Sequence, residues 1–413
     1  MKRKQTVLPP FQKKVWWLLL GYTLSLFGSG LSEPYLILYL DQIRGISLSI
    51  SGMIIATSGI SGAAILPVCG LIIDKVGANK LFLLTLFIAA WGRIAFAFAN
   101  NEPLAFFAAA LSGAGAAGSW NALSLILAAS VDESAKTEIF GIAYALQNIG
   151  SGLGSALGGL MIHTHALYTF QSIFMIDAMT FLLFAIFSKR GLEGSVKLSI
   201  NRKQGKRKNI QIRVALKDKI QVKLSFGYFL IAIVMTGFTT IVFPQWVIGQ
   251  EQLSTQVIGY AFLANSLVIV FCQFFIYRAW KKIRQTLQLA IASSLLAMGY
   301  AVVFVSGLTQ FPWAAIGSVS AFALTGVGEA LLFSALPALV NDCAPNDTKG
   351  FYNSMINFAW QAGFIIGPFL VGVMLRSPFS GGLFPGEVTV LLLVSYLFFS
   401  IRHLISKAAD QGG

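Results

Sequence analysis

Twelve apolar runs, each long enough to cross a lipid bilayer, divide this sequence and constrain its fold more than any other feature. A spanning helix needs about 20 apolar residues, and such runs fall near 15–40, 48–73, 80–99, 103–130, 138–162, 168–188, 224–249, 255–279, 286–308, 311–341, 350–375 and 387–406. Only 11% of the 413 residues are charged and 56% are hydrophobic, whereas soluble domains carry roughly a quarter charged residues. Backbone amides in hydrocarbon must be satisfied internally, which leaves helices or closed barrels. Barrel strands alternate every second residue over about ten positions, and the runs here are unbroken. The expected fold is therefore an all-α membrane protein with twelve transmembrane helices. The first run exceeds the apolar core of a signal peptide and no small-residue cleavage site precedes the next, so it is expected to remain as the first helix.

The net charge of +14 raises the question of a nucleic-acid partner, and the placement of the basic residues answers it. Lys2, Arg3, Lys4, Lys13 and Lys14 precede the first span, twelve Lys and Arg crowd 189–223, and Arg278, Lys281, Lys282 and Arg284 follow the eighth. An even helix count puts all of these on one face, and only Arg44 and Arg376 fall on the other. Cytoplasmic loops retain Lys and Arg, so both termini are expected in the cytoplasm of a cell (inner or plasma) membrane protein. The 189–223 stretch is expected to meet anionic lipid head groups rather than nucleic acid. Cys69, Cys272 and Cys343 form no disulfide or metal pattern, and His163 and His165 read as a solvated loop pair.

The polar segment separates two related halves. Leu111-Ser-Gly113-Ala-Gly115 matches Leu324-Thr-Gly326-Val-Gly328, Gly150 and Gly154 match Gly363 and Gly367, and Lys136 matches Lys349, all at a constant offset of 213 residues. Such a repeat marks an internal duplication. The expected organisation is a bundle of six helices over 1–188, a basic cytoplasmic linker over 189–223 and a second bundle of six over 224–413. Parallel halves of this kind hold a substrate cavity between them and rock around it.

Gly70-Leu-Ile-Ile-Asp74-Lys75-Val-Gly77-Ala-Asn-Lys80 resembles the G-x-x-x-D-[RK]-x-G-x-x-[RK] loop of the major facilitator superfamily, and the resemblance extends over essentially the whole chain. It implies two pseudo-symmetric bundles, transport without enzymatic activity, and a gating role for the loop. Gly70 and Gly77 would allow a tight turn and close helix approach, and Asp74 would cap a neighbouring helix N-terminus. In the fifth span, Gly141, Gly150, Gly154, Gly158 and Gly159 are similar to the glycine motif of that family's drug/proton antiporters, with Ser155 where proline is expected. Gly150, Gly154 and Gly158, at i, i+4 and i+8, also form a groove for a neighbouring helix. The antiporter pattern further places an arginine where this chain has Ala109.

Ionisable groups within spans cost roughly 2.5–3.5 kcal/mol each on insertion scales. Glu33 in the first span shares a polar stripe with Tyr22, Ser25 and Ser29 and precedes Pro34, which is expected to bend the helix. Glu329 follows Gly326-Val-Gly328 in the tenth span. Desolvation favours the protonated carboxyl, so both are expected as proton-coupling sites, with structural hydrogen bonding as the competing explanation. Arg93 in the third span and Asp177 in the sixth are expected to form a structural ion pair, the alternative being a proton relay. Tyr22, Ser29, Tyr144, Asn148, Thr240, Asn357, Trp360 and Gln361 are the expected substrate cavity, a few directional polar groups among apolar walls.

These features point to proton-coupled efflux, an antiport of small amphipathic or drug-like molecules by alternating access. Sugar or other nutrient transport and lipid or cell-wall precursor flipping are the alternatives. No G-x-x-x-x-G-K-[ST] loop supplies an ATP motor, so the proton gradient is the expected energy source, without a cofactor or metal. The expected partners are a small-molecule substrate, protons and membrane lipids, and the expected working unit is a monomer.

Overall fold

The structure, a computed structural model, describes residues 11–132, 135–163, 166–192, 217–276, 280, 283–345, 348–375, 377–378, 380–405 and 410. Most of the basic linker lies outside the described residues, as do Lys2, Arg3, Lys4, His165, Arg278, Lys281, Lys282 and Arg376.

Twelve long helices follow in chain order: α1 (Lys13–Ile43), α2 (Leu48–Val76), α3 (Ala78–Phe98), α4 (Glu102–Ala129), α5 (Lys136–Met161), α6 (Leu167–Gly191), α7 (Lys219–Gln250), α8 (Thr255–Phe275), α9 (Gln285–Ser306), α10 (Trp313–Cys343), α11 (Lys349–Met374) and α12 (Leu383–Ile401). Strands are absent among the described residues. Among the described residues, ten helices combine the length and hydropathy of a membrane span. The other two, α4 and α5, are long enough but diluted by Gly, Ser and Asn. Those residues are turned inward: Gly115, Gly118 and Ser119 of α4 and Asn148, Gly150, Gly154 and Ser155 of α5 are buried. Each helix reverses the last, so α1 begins and α12 ends on one face, called here the terminal face; the opposite one is the far face.

Helix neighbours repeat between the halves. In the first, α1 packs on α5 and α6, α4 on α2 and α3, and α3 on α6; in the second, α7 packs on α11 and α12, α10 on α8 and α9, and α9 on α12. The halves meet along α5–α8 and α2–α11, themselves equivalent pairs. The duplicated glycines sit in the duplicated seams. A side chain at Gly154 would collide with the Phe27 carbonyl of α1, and one at Gly367 with the Ile233 carbonyl of α7. Likewise Gly113 abuts the Ser58 carbonyl of α2, and Gly326 abuts the Asn265 carbonyl of α8. Gly150, Gly154 and Gly158 thus form the expected groove, filled by α1, while Gly159 turns to Thr255 of α8. Gly141 stands outside it, its nearest neighbour being Gln273 Nε2 at 3.6 Å from an added Cβ.

Two helices are irregular toward the far face. In α1 the turn Glu33–Tyr35 is 3₁₀ with Pro34 inside it, and Tyr39–Ile43 is a wide π turn. In α7, Phe238–Val242 and Trp246–Gln250 are π turns. These segments touch each other, and Gln245 Nε2 donates to Asp41 Oδ2 at 3.1 Å across the halves. Nearby, Gly52 of α2 lies against the Pro368 carbonyl of α11, and Gln361 Nε2 donates to the Gly59 carbonyl at 2.9 Å. These contacts join the two halves from the far face to mid-helix.

The terminal face differs, and it corrects the expected loop at Asp74. Gly70, Asp74 and Lys75 are helical residues of α2, Lys80 belongs to α3, and the break between the helices is Gly77 alone, at φ 86°. A backbone at positive φ favours glycine. Gly70 makes no close approach, since a Cβ there or at Gly77 would meet nothing within 4 Å. Asp74, Lys75, Gly77 and Lys80 are exposed.

Beyond α7 on the far face, Ser318 Oγ of α10 donates to both Glu251 carboxylate oxygens at 2.9 and 3.1 Å. Burial raises the Glu251 carboxyl to about 7, while hydrogen bonds from Ser318 and Trp246 pull the other way. A raised carboxyl makes the folded state bind the additional proton, so its stabilising contribution is full below the ordinary carboxylate range and is lost as pH rises through 7. Thermal melting in detergent should therefore fall between about pH 5 and about pH 8 by more in the wild type than in Glu251→Gln; equal slopes would sink this assignment. The seam yields a second prediction. Gly154→Val overpacks α1 against α5 and should cost about 1–3 kcal/mol, read as a lower melting temperature, whereas Gly141→Ala should melt like wild type.

Candidate functional site

The first half encloses a cavity of about 290 Å³ lined by α1, α3, α4, α5 and α6. Its polar wall is the α1 stripe expected from spacing: Tyr22, Ser25, Ser29 and Glu33 all line it. Opposite stand Ser119 and Trp120 of α4 and Gln147 of α5, with Phe82, Phe181 and Phe184 closing the apolar side. The Tyr22 and Trp120 rings stack at 5.2 Å between centroids, and the Tyr22 hydroxyl donates to Gln147 Oε1 at 2.8 Å.

At one end of this cavity three ionisable side chains form a single network. Arg93 Nη2 donates to Glu33 Oε1 at 2.6 Å and to Ser29 Oγ at 3.4 Å. Arg93 Nε lies 3.0 Å from Asp177 Oδ2, with the N–H not aimed along that line, so this contact is Coulombic rather than a shaped hydrogen bond. The Ser32 hydroxyl donates to the same Asp177 oxygen at 2.6 Å. The side chains differ sharply in solvation: Asp177 is 0% exposed, Arg93 5% and Glu33 60%. Small residues make this possible, because Gly28 brings the α1 backbone against Asp177 and Thr180 of α6.

The sequence separated these residues into a coupling acid and a structural pair, and the structure joins them. Arg93 is shared by both acids. Glu33 is accordingly not a desolvated carboxyl, as expected from its place in a span, but an ion-paired one facing open space.

Glu329 lies in the second half, half-buried on α10. Asn265 Nδ2 of α8 donates to Glu329 Oε1 at 2.8 Å and to Thr325 Oγ1 at 3.2 Å. Described cationic residues make no ion pair with it.

The other expected cavity residues lie apart from this pocket. Tyr144 faces Phe333 of α10 at 6.4 Å across the interface, and Phe333 packs with Tyr228 and Trp360 in an aromatic cluster of the second half. Asn148 turns its amide to the Tyr144 carbonyl, and Thr240 donates to the Thr236 carbonyl of its own helix. Gln361 ties α11 to α2, and Asn357 one turn earlier is exposed. Trp120 and Gln147 were not anticipated, although Trp120 follows directly on a Gly-Ser pair in a helix of small residues. Glu387 was also missed because it was placed at the boundary of the twelfth span. It sits within α12, buried, and neither carboxylate oxygen has a hydrogen-bond partner among the described residues.

Known proteins place this geometry in a family. A family profile described as Major Facilitator Superfamily matches residues 18–402. The chain is 25% identical over 367 residues to the uncharacterised transporter YttB of Bacillus subtilis strain 168, covering 87% of each. It is 29% identical over 140 residues to the methylenomycin A resistance protein of the same organism, 33% of this chain and 29% of that one. Among solved structures, a POT family transporter in complex with 5-aminolevulinic acid superposes with a TM-score of 0.77 at 15% identity, over 95% of this chain and 96% of the other; at that identity the likeness is one of fold. Twelve helices in two equivalent bundles and a profile spanning nearly the whole chain make this protein a member of the major facilitator superfamily, a multi-pass membrane secondary transporter rather than an enzyme.

Proposed function

We propose that the protein is a proton-coupled exporter that carries small amphipathic molecules by alternating access. The observation that carries this reading is the cavity end where Glu33, exposed to the pocket, shares Arg93 with fully buried Asp177. A proton arriving at Glu33 breaks its claim on the guanidinium, and Arg93 is then left to Asp177 alone. The charge seen by a substrate in the cavity changes with that one proton. Glu329, held by the neutral Asn265 amide, is the corresponding proton site of the second half. Similarity over part of the chain to a methylenomycin A resistance protein favours an efflux substrate over a nutrient.

The conformation supports the same cycle. With the termini in the cytoplasm, as the basic residues imply, the contacts at Asp41–Gln245 and Gly59–Gln361 tie the halves together toward the outer side, and the exposed α2–α3 junction lies on the inner side. Gly70, Asp74, Lys75, Gly77 and Lys80 then act as the gating segment of the inner side. Gln361 works as an outer gate tie, and the glycines of α5 form the seam on which α1 pivots.

A gradient of one pH unit is worth ~1.4 kcal/mol per proton and would concentrate a substrate about tenfold through one coupled proton. In proteoliposomes, Glu33→Gln and Glu329→Gln should each bring accumulation down toward the equilibrium level while counterflow exchange persists. Full accumulation in both variants would remove the coupling assignment. Arg93→Gln acts differently, since it strands Asp177 and should cost about 3–5 kcal/mol, seen as lost yield and a lower melting temperature. Adding Asp177→Asn should recover most of that loss; no recovery would mean that Asp177 is not the group being neutralised.

A further inference from the structure

We infer that the groove between α9 and α12 binds one anionic glycerophospholipid, with an acyl chain lying in the groove and the phosphate on Arg402. The inference goes beyond the transport reading and needs only that the chain spans a membrane.

The groove lies in the second half, away from the cavity described above. It has a volume of about 500 Å³ and runs between Leu287 and Met298 of α9 and Leu392 and Phe399 of α12, over a floor of Ala290, Ser294 and Ser395. The floor offers nothing to a polar ligand. Ser395 Oγ donates to the Ala290 carbonyl at 2.8 Å, so across the 2.9 Å between the two hydroxyls Ser294 donates to Ser395. Both hydroxyl protons are used within the seam. In the first half the equivalent seam, α3 against α6, is filled by rings: Phe82 meets Phe184 at 5.2 Å and Phe96 stacks on Phe174 at 5.6 Å between centroids. Small residues thus open in one half what aromatic side chains fill in the other. A groove left unfilled forfeits dispersion contacts along its walls, and an acyl chain is the apolar body that a bilayer supplies.

Length and position suit one chain of one leaflet. From Leu287 to Met298 a helix rises ~16 Å, about half of the ~30 Å hydrocarbon thickness. One end of the groove lies at the terminal face, where α9 begins and α12 ends, and the other lies at mid-helix.

Charge at the mouth selects the head group. Arg402, the residue that follows α12, lays its guanidinium over the Phe399 ring at 4.1 Å from the centroid. Among the described residues it forms no ion pair. Neighbouring Arg284 is instead committed, through Nε to Asp410 Oδ2 at 2.6 Å and through Nη2 to the Arg402 and Ile405 carbonyls. The ring that walls the groove therefore carries an uncompensated cation at its open end. A guanidinium presents paired donors that match phosphate, and basic groups at head-group level attract anionic lipid. A zwitterionic lipid brings the same phosphate together with an opposing ammonium charge.

The test uses the full chain, stripped of lipid in dodecyl maltoside, and native mass spectrometry with dioleoyl phosphatidylglycerol or dioleoyl phosphatidylcholine, which share their chains. The first phosphatidylglycerol should bind at least about tenfold more tightly, a difference of ~1.4 kcal/mol. Arg402→Gln, with its melting temperature checked, should erase that preference, and glycerol phosphate without chains should not displace the lipid. Position is read on the unaltered protein: phosphatidylglycerol with a photoreactive diazirine in its acyl chain should label 287–298 and 392–399. Equal affinity for the two lipids, a preference that survives in Arg402→Gln, displacement by glycerol phosphate, or labelling spread evenly over the helices would overturn the inference. So would a dimer joined through α9 and α12 that excludes the lipid, since a second copy would then be the occupant.

Discussion

In hydrocarbon no hydrophobic force draws one apolar helix to another, because the lipid tails are as apolar as the side chains they would replace. Association must come from close packing, and close packing requires that backbones approach. This constraint explains where the glycines of this chain lie. Gly154 lets α5 meet the Phe27 carbonyl of α1, and Gly367 lets α11 meet the Ile233 carbonyl of α7. These seams fix α1 and α7 at the centre of the two bundles, and the cavity and the far-face contacts between the halves are built on those two helices. Gly28 extends the same device to the ion network, since without its close approach to α6 the Ser32 hydroxyl and Asp177 would not meet.

Much of this was legible in the sequence. Run length gave the helices, the 213-residue offset between Gly113 and Gly326 and between Gly154 and Gly367 marked the duplication, and the spacing of Gly150, Gly154 and Gly158 marked a groove for a neighbouring helix. Helical spacing put Tyr22, Ser25, Ser29 and Glu33 on one face, and that face lines the cavity. The failures have a common cause, which is that a single helix reports its own periodicity but not its partner. Glu33 and Arg93 are 60 residues apart, and nothing in either helix reveals that one guanidinium serves two acids. Gly70 read as a close-approach residue and has open space around it, because the contact such a residue makes depends on which neighbour the fold brings to it.

The two halves keep the same helix contacts and differ in their acids. In the first half Asp177 on α6 is neutralised by Arg93 from α3. The second half has Glu387 on α12, the equivalent helix, buried with no hydrogen-bond partner among the described residues. An isolated carboxylate is costly in such surroundings. Duplication therefore preserved the scaffold, which is set by small residues, while the charged groups diverged independently.

The 3₁₀ turn at Glu33–Tyr35 places the acid that faces the cavity on the first of the two stretches where α1 departs from regular helical winding. The turn touches α7, and so does the stretch beyond it, which carries Asp41 to Gln245. Glu33 stands at the joint between the part of α1 that lines the pocket and its far arm, so a change at the carboxylate, from a departing guanidinium or an arriving ligand, falls where the two parts meet. Occupancy of the pocket and the far-face contacts between the halves can thus be geared together by a single helix, with no intervening chain of side chains to carry the signal.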